Sequence, residues 1–194
     1  MTGMGTPDAI LQAARASIIA GGYQAFSYAD IAAVVGIRKA SVHHHFPTKV
    51  DLVQELVRRY REEAAAGLAG IEAHTDGPLD ALRAYAGYWE TCVAEPDAAY
   101  CLCALLATQI PVLPEPVAAE VREHFRALSQ WLTAVIGRGV RDGVFTGAGD
   151  ARVEAESFMA AVHGAMLTAR AYGDPAVFAT IVQPAIQRLL TPTS

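Results

Sequence analysis

The chain has 194 residues, 53% of them hydrophobic, and a formal net charge of −5. That length buries about 70% of the unfolded surface without disulfide or metal staples. It contains no apolar run long enough to span a bilayer, and its opening MTGMGTPDA has neither the basic nor the apolar part of a signal peptide, so a cytoplasmic protein is expected. The three cysteines, Cys92, Cys101 and Cys103, are an odd set and are expected as thiols.

The first predicted helix has Thr6 as N-cap, Pro7 at its first position and Asp8 in its first turn, and it stops at Gly21-Gly22. Its stripe Ile10, Ala14, Ile18 faces inward. Tyr23 and Phe26 follow in a loop, where large rings serve best as anchors for a small core. Ser27 can cap the run YADIAAVV, in which Ile31, Ala32 and Val35 recur at helical spacing, and Gly36 breaks it. A second short helix, 38–45, ends in Phe46-Pro47. Val42 and Phe46 stand four apart and should pin it to the core, leaving Arg38, Lys39, Ser41, His43 and His44 to point outward. Two short helices split by a tight glycine turn put the second in a position to enter a major groove. Arg and Lys there can pair with guanine or neutralise phosphate, and Ser and His can donate to base edges.

The three consecutive histidines do not read as a metal site. Adjacent helical residues point about 100° apart, so His43, His44 and His45 cannot converge on one ion, and His45 is expected to pack at the helix end. Thr48 with Asp51 three residues on is close to a capping box for a fourth helix, whose Leu52, Leu56 and Val57 face inward. Its charged run RRYREE, with Arg58, Arg59 and Arg61, reads as a solvated face.

From Gly77-Pro78 onward the pattern stays helical. A fifth helix, 78–95, buries Leu79, Leu82, Ala86, Trp89 and Val93, and Pro96-Asp97 interrupts it. A sixth, 98–110, has the face Leu102, Leu105, Leu106, Gln109. Three prolines at 111, 114 and 116 force a break before a seventh, 116–142, with the seam Val117, Val121, Phe125, Leu128, Leu132, Val135. Gly143 stops it, and TGAG before Asp150 is a loop. The eighth, 150–172, carries small residues at Ala160, Gly164 and Thr168. The ninth is capped by Asp174 with Pro175 at its first position, and Pro184 should kink it. About nine helices make an all-α chain. The last two are too apolar for one protomer to cover, so they are expected to pair with those of a second copy in a four-helix dimer interface.

Charge is divided unevenly. Through Arg61 there are seven basic and four acidic residues, a net of +3, whereas the remainder nets −8. A basic head on an acidic body fits a DNA reader joined to something that does not touch DNA. The stretch SYADIAAVVGIRKASVHHHFPTK, from Ser27 to Lys49, resembles the DNA-binding region of TetR/AcrR-type transcriptional regulators. The resemblance implies a three-helix head at 1–55 and a ligand-binding and dimerisation body at 56–194. It also implies phosphate contacts from Ser27 and Lys49. Where that family most often has Tyr this chain has His43, and Ala40 replaces a common Gly, so an operator unlike those of close relatives is expected.

A body larger than its DNA reader suggests a pocket for a small-molecule effector. Aromatic and soft side chains at the middle of the fifth to eighth helices are its candidate lining: Tyr85, Tyr88, Trp89 and Cys92, then Cys101 and Leu105, then Phe125 and Trp131, then Phe158, Met159 and His163. For each the alternative is plain core packing. The stretch CLCALLATQIPVLPEPVAAEVREHF, from Cys101 to Phe125, resembles a TetR-type subgroup in which a Cys opens the sixth helix and some members respond to electrophiles or acryl-type metabolites. Cys101 and Cys103 are i and i+2, about 200° apart, and do not bond to each other. A helix dipole at Cys101 would lower its pKa, whereas Cys103 reads as a buried inert thiol. The expected protein is a homodimeric repressor, not an enzyme, that binds a palindromic double-stranded operator and needs no cofactor or metal. Two other readings stay open, a thiol-based sensor acting through Cys101 and a hydrolase using Cys101 or Cys92 with His124 or His163. The second lacks a nucleophile, base and orienting acid fixed together in sequence.

Overall fold

A computed structural model describes residues 5–95, 100–146 and 149–190. Among them the chain forms nine α-helices and one 3-10 turn, with no strand beyond an isolated bridge between Phe145 and Leu190. The expected break at Pro96-Asp97, the start of the predicted 98–110 helix and the middle of the TGAG loop lie outside the described residues. The chain divides into two compact units. One takes residues up to Glu63 together with Cys101–His124, and the other takes Ala64–Tyr100 together with everything from Phe125. The segment Cys101–His124 therefore groups with the head.

In the first unit, α1 is Thr6–Gly21, α2 Tyr28–Val35 and α3 Lys39–His45, and α4, Lys49–His74, contributes its first part. Gly5, not Thr6, is the N-cap of α1. The Gly5 carbonyl already accepts the Ala9 N–H at 3.1 Å, so the helix starts one residue earlier than expected, and Pro7 loses nothing by lacking its own N–H. The expected box at Thr48 forms, and the expected cap at Ser27 is a full box as well. Ser27 and Asp30 exchange bonds at the start of α2, with the Ser27 N–H donating to Asp30 Oδ2 at 2.7 Å and the Asp30 N–H to Ser27 Oγ at 3.4 Å. Thr48 and Asp51 do the same before α4. Gly36 ends α2 in the left-handed conformation, φ 75° and ψ 31°, which a side chain at that position would resist. The core is Ile10, Ala14, Ile18, Ile31, Val42, Leu52, Val53 and Val57, all without exposure. Burying each of the larger ones stabilises by roughly 1.5–3 kcal/mol.

The rest of that unit is α6, Leu102–Ala107, a 3-10 turn at Ile110–Val112, and the first part of α7, Glu115–Arg141. The predicted sixth helix is thus too long. Pro111 has no N–H to donate to the Ala107 carbonyl, so the helix ends at Ala107, Gln109 turns to φ −110° and ψ 5°, and the chain tightens into the 3-10 turn. The charged face of α4, part-exposed as a solvated face should be, also carries an ion-pair network. Arg58 pairs with Glu55 and Glu62, Arg59 with Glu55 and, across to α1, with Asp8 at 2.7 Å, and Arg61 with Glu120 on α7 at 3.2 Å.

The second unit holds the remainder of α4, α5 at Pro78–Ala94, the rest of α7, α8 at Ala151–Tyr172 and α9 at Ala176–Leu189. α8 and α9 pack along each other, and α5 lies against both. On α5, Leu79 and Val93 are half-buried instead of core, and Tyr85 and Ala81 take their place beside Leu82, Ala86 and Trp89. Gly139 leaves room for Phe145, since a Cβ there would sit 2.0 Å from the ring. The Asp174 carboxylate accepts the Ala176 N–H at 3.0 Å, as expected of a cap, although the helix begins one residue after Pro175. α9 continues through Pro184, which is exposed. The outer face of α8 is uncovered in one chain: Val153 is 57% exposed and Leu167 61%, with exposed Ala160 and Gly164 between them.

Candidate functional site

The geometry of α3 follows from its two anchors. Val42 is fully buried and Phe46 nearly so, which turns Arg38, Lys39, His43 and His44 to solvent and leaves Ser41 half-buried. Arg38 is the N-cap residue, so it and Lys39 stand at the positive end of the helix. Tyr28 ties α2 to α3 by donating from its hydroxyl to the Phe46 carbonyl at 2.8 Å, a bond buried in the head. His43 leans on that ring, with centroids 4.6 Å apart, and its Nδ1 lies 3.1 Å from the Pro47 carbonyl. A carbonyl only accepts, so Nδ1 carries the proton and Nε2 is left toward solvent. His45 is exposed, its ring edge-on to His44, and does not pack at the helix end as expected. A seven-residue helix held at Val42 and Phe46 has no third inward position.

Ser27 is exposed, with its hydroxyl engaged by Asp30 at 2.8 Å. Lys49 is half-buried. Its ammonium donates to the Phe26 carbonyl at 2.6 Å and lies 4.9 Å from the Tyr23 ring and 4.2 Å from the Phe26 ring. Burial, opposed by the Asp30 charge, holds its pKa below the usual lysine value. Tyr23 and Phe26 are both buried, as anchors should be.

The expected effector lining is divided between the units. Cys101 and Leu105 belong to the first and the other nine residues to the second. Within the second, Tyr85 meets Trp131 at 5.7 Å and Phe158 at 6.4 Å, Phe125 meets His163 at 5.2 Å, and Tyr88, 58% exposed, meets Trp89 at 5.0 Å. Cys92 and Met159 are half-buried. Trp89 Nε1, Trp131 Nε1 and His163 Nε2 are buried with no hydrogen-bond partner among the described residues. His163 Nδ1 is 2.9 Å from the Met159 carbonyl, and burial lowers the pKa of the ring, which makes Nε2 a bare acceptor. A cavity of about 260 Å³ opens beside Phe158, between α8 and α9.

Cys101 corrects a dipole argument. It is the N-cap of α6 and its Sγ accepts the Ala104 N–H at 3.4 Å, but the residue has no exposure and burial pushes the thiol up instead of down. Cys103 is buried and raised for the same reason. Tyr28, which joins the two helices of the reading motif, escaped the sequence reading because its partner lies 18 positions away.

The family model for bacterial regulatory proteins of the tetR family matches residues 10–56, and that for the tetracyclin repressor-like C-terminal domain matches 78–184. The HTH-type transcriptional regulator CymR of Pseudomonas putida is 27% identical over 143 residues, 71% of this chain and 68% of CymR. A TetR-family regulator from Agrobacterium tumefaciens is 58% identical in its crystal structure, covering 95% of this chain and 97% of that one with a TM-score of 0.92. A TetR regulator from Legionella pneumophila is 26% identical, covering 97% and 100% with a TM-score of 0.86. With a basic helix-turn-helix presented on a buried anchor and family models matched at 10–56 and 78–184, this chain belongs to the TetR family of DNA-binding transcriptional regulators.

Proposed function

We propose that the protein is a homodimeric, effector-released repressor. Each copy would place α3 in a major groove, with Arg38, Lys39, Ser41, His43 and His44 toward bases and phosphates and Ser27 and Lys49 on the backbone. The observation that carries this reading is the outward basic face of α3 behind the Val42–Phe46 anchor. The uncovered face of α8, with α9 beside it, would join the two copies, and a two-fold axis then requires a palindromic operator with half-sites about 34–36 Å apart or more. No described helix is long and apolar enough to cross a membrane, in keeping with work in the cytoplasm.

The effector would enter the aromatic cluster of the second unit. Three polar atoms without partners in an apolar surround are a standing cost that a ligand with its own donors and acceptors offsets. α4 runs from the head into that unit, so occupancy can bias the head provided the effector binds the DNA-free arrangement more tightly. We read no catalysis in the chain, and the closed, protonated Cys101 favours neither a nucleophile nor a thiolate sensor.

The test is selection of duplexes from a random pool, followed by anisotropy titration of the winner at 50 and 200 mM salt. A palindrome whose binding falls about a thousandfold across that range, the slope of about six phosphate contacts, is expected. Winners without two-fold symmetry, or binding indifferent to salt, would reject the proposal.

A further inference from the structure

The loop between α1 and α2 is held by a residue far outside the helix-turn-helix. Gln109, between α6 and the 3-10 turn, accepts the Tyr23 N–H on its Oε1 at 2.9 Å across 86 positions of sequence. Its carboxamide closes on Gly22, where a Cβ would come 2.0 Å from Nε2 and 2.8 Å from Cδ. Gly22 itself has φ 83°, so both its backbone and its missing side chain suit this contact. Gln109 is fixed in turn by its backbone: its N–H donates to the Leu106 carbonyl at 2.9 Å, and its own carbonyl accepts from Val112 at 2.9 Å and Leu113 at 3.1 Å. The loop so held carries Tyr23 and Phe26, whose rings and carbonyl cradle the Lys49 ammonium. One of the three ammonium N–H groups is spent on Phe26, which leaves two for a further acceptor.

We propose that Gln109 is a positioning residue for DNA binding: by clamping Gly22 and Tyr23 it fixes the cradle that aims Lys49 at a backbone phosphate. The inference rests on the reading of Lys49 as a phosphate contact. It assigns a part of the DNA grip to the α6 end of the first unit, at a residue that touches no DNA. A side chain one methylene shorter cannot reach Tyr23, whereas a carboxylate of the same length still accepts its N–H.

The test uses the full-length protein and the duplex that wild type selects from a random pool, with helix content checked by circular dichroism. Gln109→Asn is expected to bind about tenfold more weakly per head, as for one lost positioning bond. It should also lower the slope of log affinity against log salt by about one unit per head. Gln109→Glu should bind as wild type does. Lys49→Met should show the same loss, and the double variant Gln109→Asn/Lys49→Met should be no weaker than Lys49→Met alone. Wild-type affinity and slope in Gln109→Asn beside a weakened Lys49→Met would overturn the role of Gln109 alone, as would losses that add in the double variant. An unchanged slope in Lys49→Met would instead remove the phosphate contact on which the inference stands.

Discussion

Replacing Tyr28 by Phe takes away one oxygen and tests how the two helices of the reading motif are held together. The hydroxyl donates at 2.8 Å to the carbonyl of Phe46, the residue that ends α3, and both residues are buried. The ring itself stays, so its packing against His43 at 4.6 Å survives. What is lost is the bond, together with the desolvation of a carbonyl left in the core, about 1–2 kcal/mol. For a chain of this length each kcal/mol moves the midpoint about 2–4 °C, so thermal unfolding should shift down by about 2–8 °C. Because burial, reinforced by the charge of Asp51, pushes the Tyr28 pKa up to about 12, the phenol keeps its proton throughout the neutral range and the shift should not vary with pH there. DNA affinity should fall by less than the stability, since α3 keeps its Val42 and Phe46 anchors. A midpoint within 1 °C of wild type, read by circular dichroism, would refute the idea that this bond fastens α3.

Four further outcomes follow from the same geometry. Lys49→Ala should weaken binding to all duplexes alike, whereas Arg38→Ala should also relax preference among operator variants; equal effects on specificity in a competition assay would reverse those roles. Glu55 is held down to about 2, first by the hydrogen bond from Arg58, so its contribution is complete above the ordinary carboxyl value of 4.5 and is lost as pH falls toward 2. In Glu55→Gln the midpoint should therefore fall less steeply than in wild type between pH 4.5 and 2, and parallel curves would contradict this. Leu167→Arg puts a charge on the uncovered face of α8 and should yield monomers in sedimentation, with DNA binding lost in proportion; an intact dimer would place the interface elsewhere. A thiol reagent should label Cys92 alone in the native protein, and Cys101 and Cys103 only after denaturant.

Local chemistry was readable and distant chemistry was not. Ser27 was legible as a cap and Thr48–Asp51 as a box three residues long, and both form, Ser27 gaining a return bond from Asp30 that was not expected. Gly36 marked its turn because only a left-handed residue ends α2 there, and Val42 with Phe46 marked the inward face of α3 by their spacing of four. Contacts between elements leave no such trace. Arg59 looks like one charge in a surface run, yet it reaches Asp8 on α1, 51 positions away. Gln109 reads as one member of the face it shares with Leu102, Leu105 and Leu106, although it holds a loop in the head. Cys101 went astray differently. Its place at a helix start was legible, but whether the dipole or burial prevails depends on surroundings that only the fold supplies, and burial prevails. The residues expected to line an effector pocket were legible as an aromatic set, and their division between two units was not.

The central claim is that two α3 surfaces, held by a pair of copies, grip one duplex. Hydroxyl-radical footprinting on the selected duplex tests it most directly. Two symmetric protected patches about one helical turn apart are expected, both lost when Arg38, Lys39, His43 and His44 are changed together to Ala. A single asymmetric patch, or protection that survives those four changes, would contradict it.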